Sequence, residues 1–298
     1  MVYTYISNME NLSVIIPVYN EENSIEKTLT FFGNFLKENP GAEAIFVNDA
    51  STDRTGRILS ASAGSDRLKL LTHARNEGYG ASLKDGIRHA AFDRIAIMDA
   101  DGSYPPETIA ELHEKMLAET ADMAVGERKG RLSGAGIIRG LARFILRKFA
   151  EYLSESTIPD LNSGLRIFKK SSALKFLNLL PDRFSFTTTL TLSLLADRQK
   201  VIYVPVEYRK RKGRSKIRPI KDTADFLQLI VRTTVFFNPI KVFFPLGSFF
   251  IVLSIAVLII TWLAGRVMDI TTIILFTTGM NFLAIGLLAD LIDKRLKG

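Results

Sequence analysis

LSVIIPVYNEENSIEKTLTFFGNFL, residues 12–36, sets a short apolar run beside a polar loop and an amphipathic segment. The run suits a buried strand, and the segment repeats its apolar positions with helical spacing. The same alternation continues along the chain. Strand-like runs fall at 12–18, 44–48, 68–73, 94–99, 123–126, 165–168 and 201–206. Helical patterns fall at 24–36, 52–60, 81–91, 106–117, 171–179 and 187–196. Asn23 and Glu26 have N-cap and N3 spacing, and Pro106 suits a first helical turn. Strands alternating with helices predict an α/β domain whose mostly parallel sheet is covered on both faces.

Open α/β sheets bind ligands beyond the carboxyl ends of their strands. Tyr19, Asn20 and Glu21 follow the first strand; Asn48, Asp49, Ser51 and Asp53 follow the second; Asp99-Ala100-Asp101-Gly102 follows the fourth. Asp53 alone reads as a helix cap. Asp99 and Asp101, two residues apart in a loop, suit one hard cation, Mg²⁺ or Mn²⁺, bridged to substrate phosphates. Other phosphate-binding patterns fail. There is no G-x-x-x-x-G-K-[ST], and Gly78-Tyr79-Gly80 neither follows the first strand nor finds its third glycine. The absence of G-x-S-x-G disfavours an α/β-hydrolase. With no cysteine and three scattered histidines, thiol catalysis, Cys-ligated zinc and a His-built metal site are not expected.

The last fifth of the chain differs. Residues 246–264 and 270–288 are each free of charge, and each would span roughly 28 Å as a helix, close to a bilayer's hydrocarbon thickness. The short link at 265–269 permits only an antiparallel hairpin. Lys241, Lys294, Arg295 and Lys297 flank its outer ends, against Arg266 alone in the link, so both ends and the N-terminal domain are expected on the cytoplasmic side. The N-terminus has no basic n-region, and Pro17 breaks its apolar run, so no signal peptide is read there.

Six blocks carry a resemblance: VIIPVYNEENSI (14–25), VNDASTDRTG (47–56), NEGYGASLKDGIRHA (76–90), IMDADGSYPPE (97–107), DLNSGLRIFKK (160–170) and RKGRSK (211–216). Their order resembles the family-2 inverting glycosyltransferases. The last two blocks and the hairpin are most similar to the polyprenyl-phosphate glycosyltransferases of the dolichol-phosphate mannose synthase type. The resemblance implies a GT-A fold and inverting transfer of a sugar from a nucleotide diphosphate sugar to a polyprenyl (dolichyl or undecaprenyl) phosphate. It implies that Pro17, Tyr19, Glu21, Val47 and Asp49 border the nucleotide, with Ala100 backing the ribose. It places Asp99 and Asp101 on the metal, Arg128 near the donor phosphates, and Lys216 with Lys210 or Arg211 over the diphosphate. Three residues depart from the family pattern: Asn48 for an aspartate, Ser103 for a glutamine, and Leu165 for a phenylalanine. The Q-x-x-R-W block of processive synthases is missing, which disfavours polymerisation.

The chemistry is consistent with that resemblance. Negative charge develops on the leaving diphosphate, where a metal and cations stabilise the transition state. A lipid phosphate, with a second pKa near 6, is already largely dianionic at neutral pH and needs little help from a base. Asp160 is the best base candidate; it equally suits positioning the acceptor, orienting Arg166, or capping the loop after Pro159. Between 137 and 153, apolar residues recur on one helical face while Arg139, Arg143 and Arg147 repeat on the other. That pattern fits a membrane-interface helix offering Arg139 and Arg143 to an acceptor phosphate, or a helix packed on the sheet; the hairpin favours the first. The run 209–221 holds eight Lys/Arg and precedes the apolar stretch 226–237, so it reads as donor closure followed by contact with anionic lipid. No nucleic acid is needed to explain it. The expected division is a catalytic domain over 1–216, a juxtamembrane segment over 217–240 and a transmembrane hairpin over 241–298. A homo-oligomer is compatible with this reading. Competing readings are a membrane transferase acting on a glycolipid or saccharide hydroxyl, and a non-catalytic adaptor with a decayed transferase domain.

Overall fold

The computed structural model describes residues 11–62, 66–128, 148, 150–152, 155–161, 163–183, 185–209, 231, 235–236, 238–265 and 270–297. The strands β1 (Leu12–Val18), β2 (Ala42–Asn48), β3 (Leu68–Thr72), β4 (Arg94–Ile97), β5 (Met123–Arg128), β6 (Arg166–Lys169) and β7 (Val201–Val206) form one sheet. Its order is β3-β2-β1-β4-β6-β5-β7. Only β6 runs antiparallel to its neighbours, so the expected α/β, mostly parallel architecture is what forms.

Alternation explains the two cores. Leu12, Val14, Ile16 and Val18 of β1 face one side, where helices α1 (Ile25–Glu38), α2 (Thr55–Ser62) and α4 (Thr108–Ala118) supply Phe32, Leu59 and Leu112. Ile15 faces the other side, packed with Leu83 of α3 (Tyr79–His89), Phe176 of α5 (Lys170–Phe176) and Leu190 of α6 (Phe186–Ala196). Burial on both faces is why β1 and β2 read as continuous apolar runs. Each fully buried Phe or Leu contributes about 1.5–3 kcal/mol.

Pro17 is tolerated in this central strand for a specific reason. Ile15 accepts from Met98 N at 3.1 Å and so faces β4, and Pro17, two residues on, faces the same side. In a parallel pair the next ladder donor would be residue 17, so the missing N–H ends the β1–β4 register at Ile15–Ile97 instead of breaking it midway.

Several expected boundaries shift. The cap at Asn23 does not form; α1 starts at Ile25 because the Glu21 carbonyl first accepts from both Ser24 N and Ile25 N. Pro106 lies in a preceding turn, its carbonyl taking Ile109 N, and α4 begins at Thr108. β5 runs on to Arg128 because β7 pairs with it as far as Arg128–Val206.

The C-terminal helices α7 (Ile240–Leu263) and α8 (Ile270–Lys297) are longer than the uncharged runs that predicted them. They pack antiparallel: Ser254 Oγ donates to Thr272 O at 2.9 Å, and Gly247 lies against Gly279 and Leu283. A Cβ on Gly247 would stand 2.9 Å from the Gly279 carbonyl oxygen, so the close crossing requires small residues. Both helices are long and apolar enough to cross a membrane.

Candidate active site

In the order β3-β2-β1-β4, the loops leaving β1 and β4 diverge, which opens a crevice at the carboxyl edge. The floor of that crevice is stitched from the loops after β1 and β2. Asn20 N donates to Ser51 Oγ at 3.1 Å, Thr52 N donates to Asn20 Oδ1 at 2.8 Å, and Glu21 N donates to Thr55 Oγ1 at 2.9 Å. Asn20 and Ala50 take left-handed backbone to permit this, with φ of 54° each. Pro17 and Val47 are buried, and Tyr19 and Glu21 are half-buried. Asp53 caps α2 through Thr55 N at 2.9 Å; burial opposes its charge, but the bonds from Thr55 and Glu22 prevail and hold its pKa low.

Asp49 is buried, and both carboxylate oxygens are engaged by protein. Glu77 N donates to Oδ1 at 2.8 Å, Gly78 N to Oδ2 at 2.9 Å, and His73 Nδ1 lies 2.8 Å from Oδ1. Its carboxylate therefore pins the start of α3. Sequence spacing concealed a further grouping beside it: His73, Glu77 and Asp85 bring ligand atoms within 4.8 Å of one another. Asp85 is paired with Arg88 at 2.6 Å, and Arg75 and Lys84 line the same cleft, so the surrounding charge opposes a cation there.

Beyond β4, Asp99 and Asp101 are half-buried and Ala100 is buried. Tyr79 Oη donates to Asp99 Oδ1 at 3.0 Å, and Ser103 N donates to Asp101 Oδ1 at 3.0 Å. Two half-buried carboxylates on one loop form a hard, oxygen-only donor set that fits Mg²⁺ or Mn²⁺. Ser103 itself is buried, its carbonyl taking Arg209 N at 2.8 Å, so the loop is tied to the chain leaving β7.

Arg128 and Asp160 come together. The guanidinium donates from Nε and from Nη2 to the two carboxylate oxygens, each at 2.6 Å, and both side chains are under one-tenth exposed. Burial works against the Arg128 charge, but Tyr104 and Asp160 outweigh it and raise its pKa. Tyr208 stacks under the guanidinium at 5.4 Å. Asp160 thus holds Arg128 directly, while its charge also favours that of Arg166. Arg166 is fully buried and donates to Thr187 O, Thr191 Oγ1 and Ser163 O. Leu165 is buried, with its carbonyl on Gly126 N at 2.9 Å.

The expected phosphate-closing residues Lys210, Arg211 and Lys216 lie outside the described residues, as do Arg139 and Arg143. Of the expected interface helix, Lys148 and residues 150–152 are described and helical. Sequence reading gave no role to Tyr79 and Gly164, which meet Asp99 from two sides, or to Tyr104 and Ser163, which bond each other while Tyr104 also takes Gly164 N.

Residues 13–176 match the model for Glycosyl transferase family 2, and residues 238–294 match the GtrB C-terminal hairpin. A bactoprenol glucosyl transferase of Shigella phage SfV is 28% identical over 95% of this chain and 93% of its own length. An undecaprenyl-phosphate 4-deoxy-4-formamido-L-arabinose transferase of Pectobacterium carotovorum is 27% identical over 97% of this chain and 90% of its own. In fold, the chain resembles glucosyl-3-phosphoglycerate synthase from Mycobacterium tuberculosis, crystallised with Mn²⁺, UDP and glucosyl-3-phosphoglycerate. The TM-score is 0.57 at 18% identity, over 76% of this chain and 79% of that one. With the match covering more than half its length, and with the GT-A sheet and its acidic edge in place, this chain belongs to glycosyl transferase family 2 and is a glycosyltransferase.

Proposed function

We propose that the enzyme transfers a sugar, with inversion, from a nucleotide diphosphate sugar to a polyprenyl phosphate at the cytoplasmic membrane face. The observation that carries this reading is the junction of the two regions. Ile158 and Leu161, flanking Asp160, pack with Ala150 and Leu192 into an apolar cluster that Val242 at the start of α7 joins. Lys241 pairs with Glu155 at 2.7 Å beside it. The loop that carries Asp160, and through it Arg128, thus also meets the membrane helix, as an acceptor with its tail in the bilayer and its head at the sugar requires. Relatives named for bactoprenol and undecaprenyl-phosphate substrates align over nearly the whole chain, hairpin included. The division into 1–216, 217–240 and 241–298, and the cytoplasmic placement of the first by its basic flanks, belong to the same reading.

In the reaction, an oxygen of the lipid phosphate forms the new bond to the anomeric carbon, and the bond to the donor diphosphate breaks. The nucleoside diphosphate leaves with the electron pair. Asp99 and Asp101 would hold Mg²⁺ or Mn²⁺, whose charge favours that departure. Pro17, Tyr19, Glu21, Val47, Asp49 and Ala100 border the nucleotide, while Lys210, Arg211 and Lys216 close over its phosphates. Arg128, held by Asp160, presents its charge at the donor, and Arg139 and Arg143 clamp the acceptor phosphate. A dianionic nucleophile needs no strong base, which agrees with an Asp160 carboxylate bonded to Arg128.

The test is incubation of purified protein with undecaprenyl and dolichyl phosphates and a panel of nucleotide sugars, reading lipid products by mass spectrometry. One lipid-phosphate-linked sugar is expected. Equal use of a free polyprenol or a saccharide hydroxyl would sink the proposal, as would no lipid product from any donor.

A further inference from the structure

Asp99 is gripped from two directions by segments distant in sequence. On one side Tyr79, the first residue of α3, donates its hydroxyl to Asp99 Oδ1 at 3.0 Å. On the other, Gly164 lies so close that an added Cβ would stand 2.1 Å from Asp99 Oδ2.

Both grips are themselves held. Gly78 and Gly80 press the Tyr79 backbone against the chain at 181–183; a Cβ on Gly80 would stand 2.1 Å from the Pro181 carbonyl oxygen, and Gly78 takes φ of 109°. Ala81 N donates to Asp182 O at 3.0 Å, and Asp49 fixes the backbone at Glu77 and Gly78. Opposite, Tyr104 Oη accepts from Gly164 N at 3.0 Å and bonds Ser163 Oγ at 3.1 Å.

An aspartate's terminal torsion is soft and roughly two-fold, so a lone carboxylate beyond a strand samples many orientations. We infer that Tyr79 is a positioning residue: through its hydroxyl it holds the Asp99 carboxylate, against the Gly164 backbone, in the orientation that shares a divalent cation with Asp101. The Gly-Tyr-Gly run, which is no dinucleotide fingerprint, is then the device that delivers a phenol to the acidic loop. This rests on the metal role of Asp99 and Asp101 proposed above. Partners that orient a metal ligand typically change metal affinity by about 10–100-fold when removed.

The test uses the full chain in detergent, with free Mn²⁺ measured by electron paramagnetic resonance at saturating UDP and, in parallel, GDP. Wild type, Tyr79→Phe, Asp99→Ala and the double variant are compared. Tyr79→Phe should weaken Mn²⁺ binding by about 10-fold and should weaken it no further once Asp99 is alanine. A merely structural tyrosine would act alike in both backgrounds, and that outcome overturns the inference. Gly164→Ala, which displaces the same carboxylate from the other side, must also weaken Mn²⁺ binding at an unchanged melting temperature. If Asp99→Ala binds Mn²⁺ normally, the metal role falls and this inference with it. If only Tyr79→Phe binds normally, the inference alone falls.

Discussion

Helices α6 and α7 both lack a distinct polar face, yet one is core and the other faces outward. Nine of the eleven residues of α6 are buried, from Phe186 to Leu194. In α7, among 24 residues, only Gly247 and Ser254 are buried, while Trp262 and Leu263 are each 76% exposed. Both satisfy their hydroxyls on helix carbonyls: Thr189 on Ser185 O and Thr191 on Thr187 O in α6, Thr261 on Val257 O in α7. Five of the eleven residues of α6 are Thr or Ser, against three of the 24 of α7, and length separates them further, about 16 Å against about 36 Å. The larger difference is what each helix is packed on. α6 seats a buried arginine, whereas α7 packs along α8, touches the catalytic domain, among the described residues, only at its start through Lys241 and Val242, and leaves most of its remaining surface exposed.

The sharpest way to break that comparison is a charge in each helix. Leu190→Lys buries an unpaired ammonium in the sheet-facing core and should cost about 4 kcal/mol or more, leaving no cooperative melt of the catalytic domain. Ile259→Lys, on the exposed face of α7, should leave that melt alone and cost membrane insertion about 3 kcal/mol. Circular dichroism and membrane fractionation separate the two; equal damage from both would mean that α7 is a core helix.

Next is the arginine under α6. Arg166→Met removes the donors to Thr187 O, Thr191 Oγ1 and Ser163 O while keeping most of the volume. Stranding those buried acceptors should cost about 3 kcal/mol in chemical denaturation. Because Ser163 precedes the glycine packed on Asp99, turnover should fall as well. Unchanged stability would show that α6 needs no polar anchor.

A smaller effect is expected inside the hairpin. Gly247→Val drives a side chain into Leu283 and the Gly279 carbonyl, separating α7 from α8 at about 1–3 kcal/mol. Proteolysis of the reconstituted protein should quicken at the hairpin while the catalytic domain's melting temperature holds. A loss of the domain's own stability would mean that the two regions fold as one.

The strand-and-helix order, the acidic edge and the hairpin were legible because each is a local pattern: period, loop position, and length without charge. The antiparallel β6 was not, since its four residues look like any parallel strand and its direction follows from pairing with β4 and β5. Helix starts at Asn23 and Pro106 misled because carbonyls at Glu21, Pro105 and Pro106 form turns before the helices begin. In the site, the residue types at 99, 101, 128 and 160 could be read from motifs. That Asp160 would meet Arg128, or Tyr79 meet Asp99, could not, because these pairs join loops 32 and 20 residues apart.

The smallest effect should come where the two regions touch. Lys241 and Glu155 pair at 2.7 Å, but Glu155 is 77% exposed, so water competes for both charges and salt screens them. The apolar half of the junction is different. Val242 packs on the cluster of Ile158, Leu161 and Leu192, and that cluster borders the loop holding Asp160. Lys241→Ala should therefore change neither the melting temperature nor acceptor use beyond error, at low salt or high. Val242→Asn should leave donor binding intact, measured by calorimetry with UDP and GDP, and raise the acceptor KM severalfold by loosening the loop against the membrane helix. If Lys241→Ala proved the more harmful change, and its effect disappeared in high salt, the domain would be tethered by charge rather than by packing.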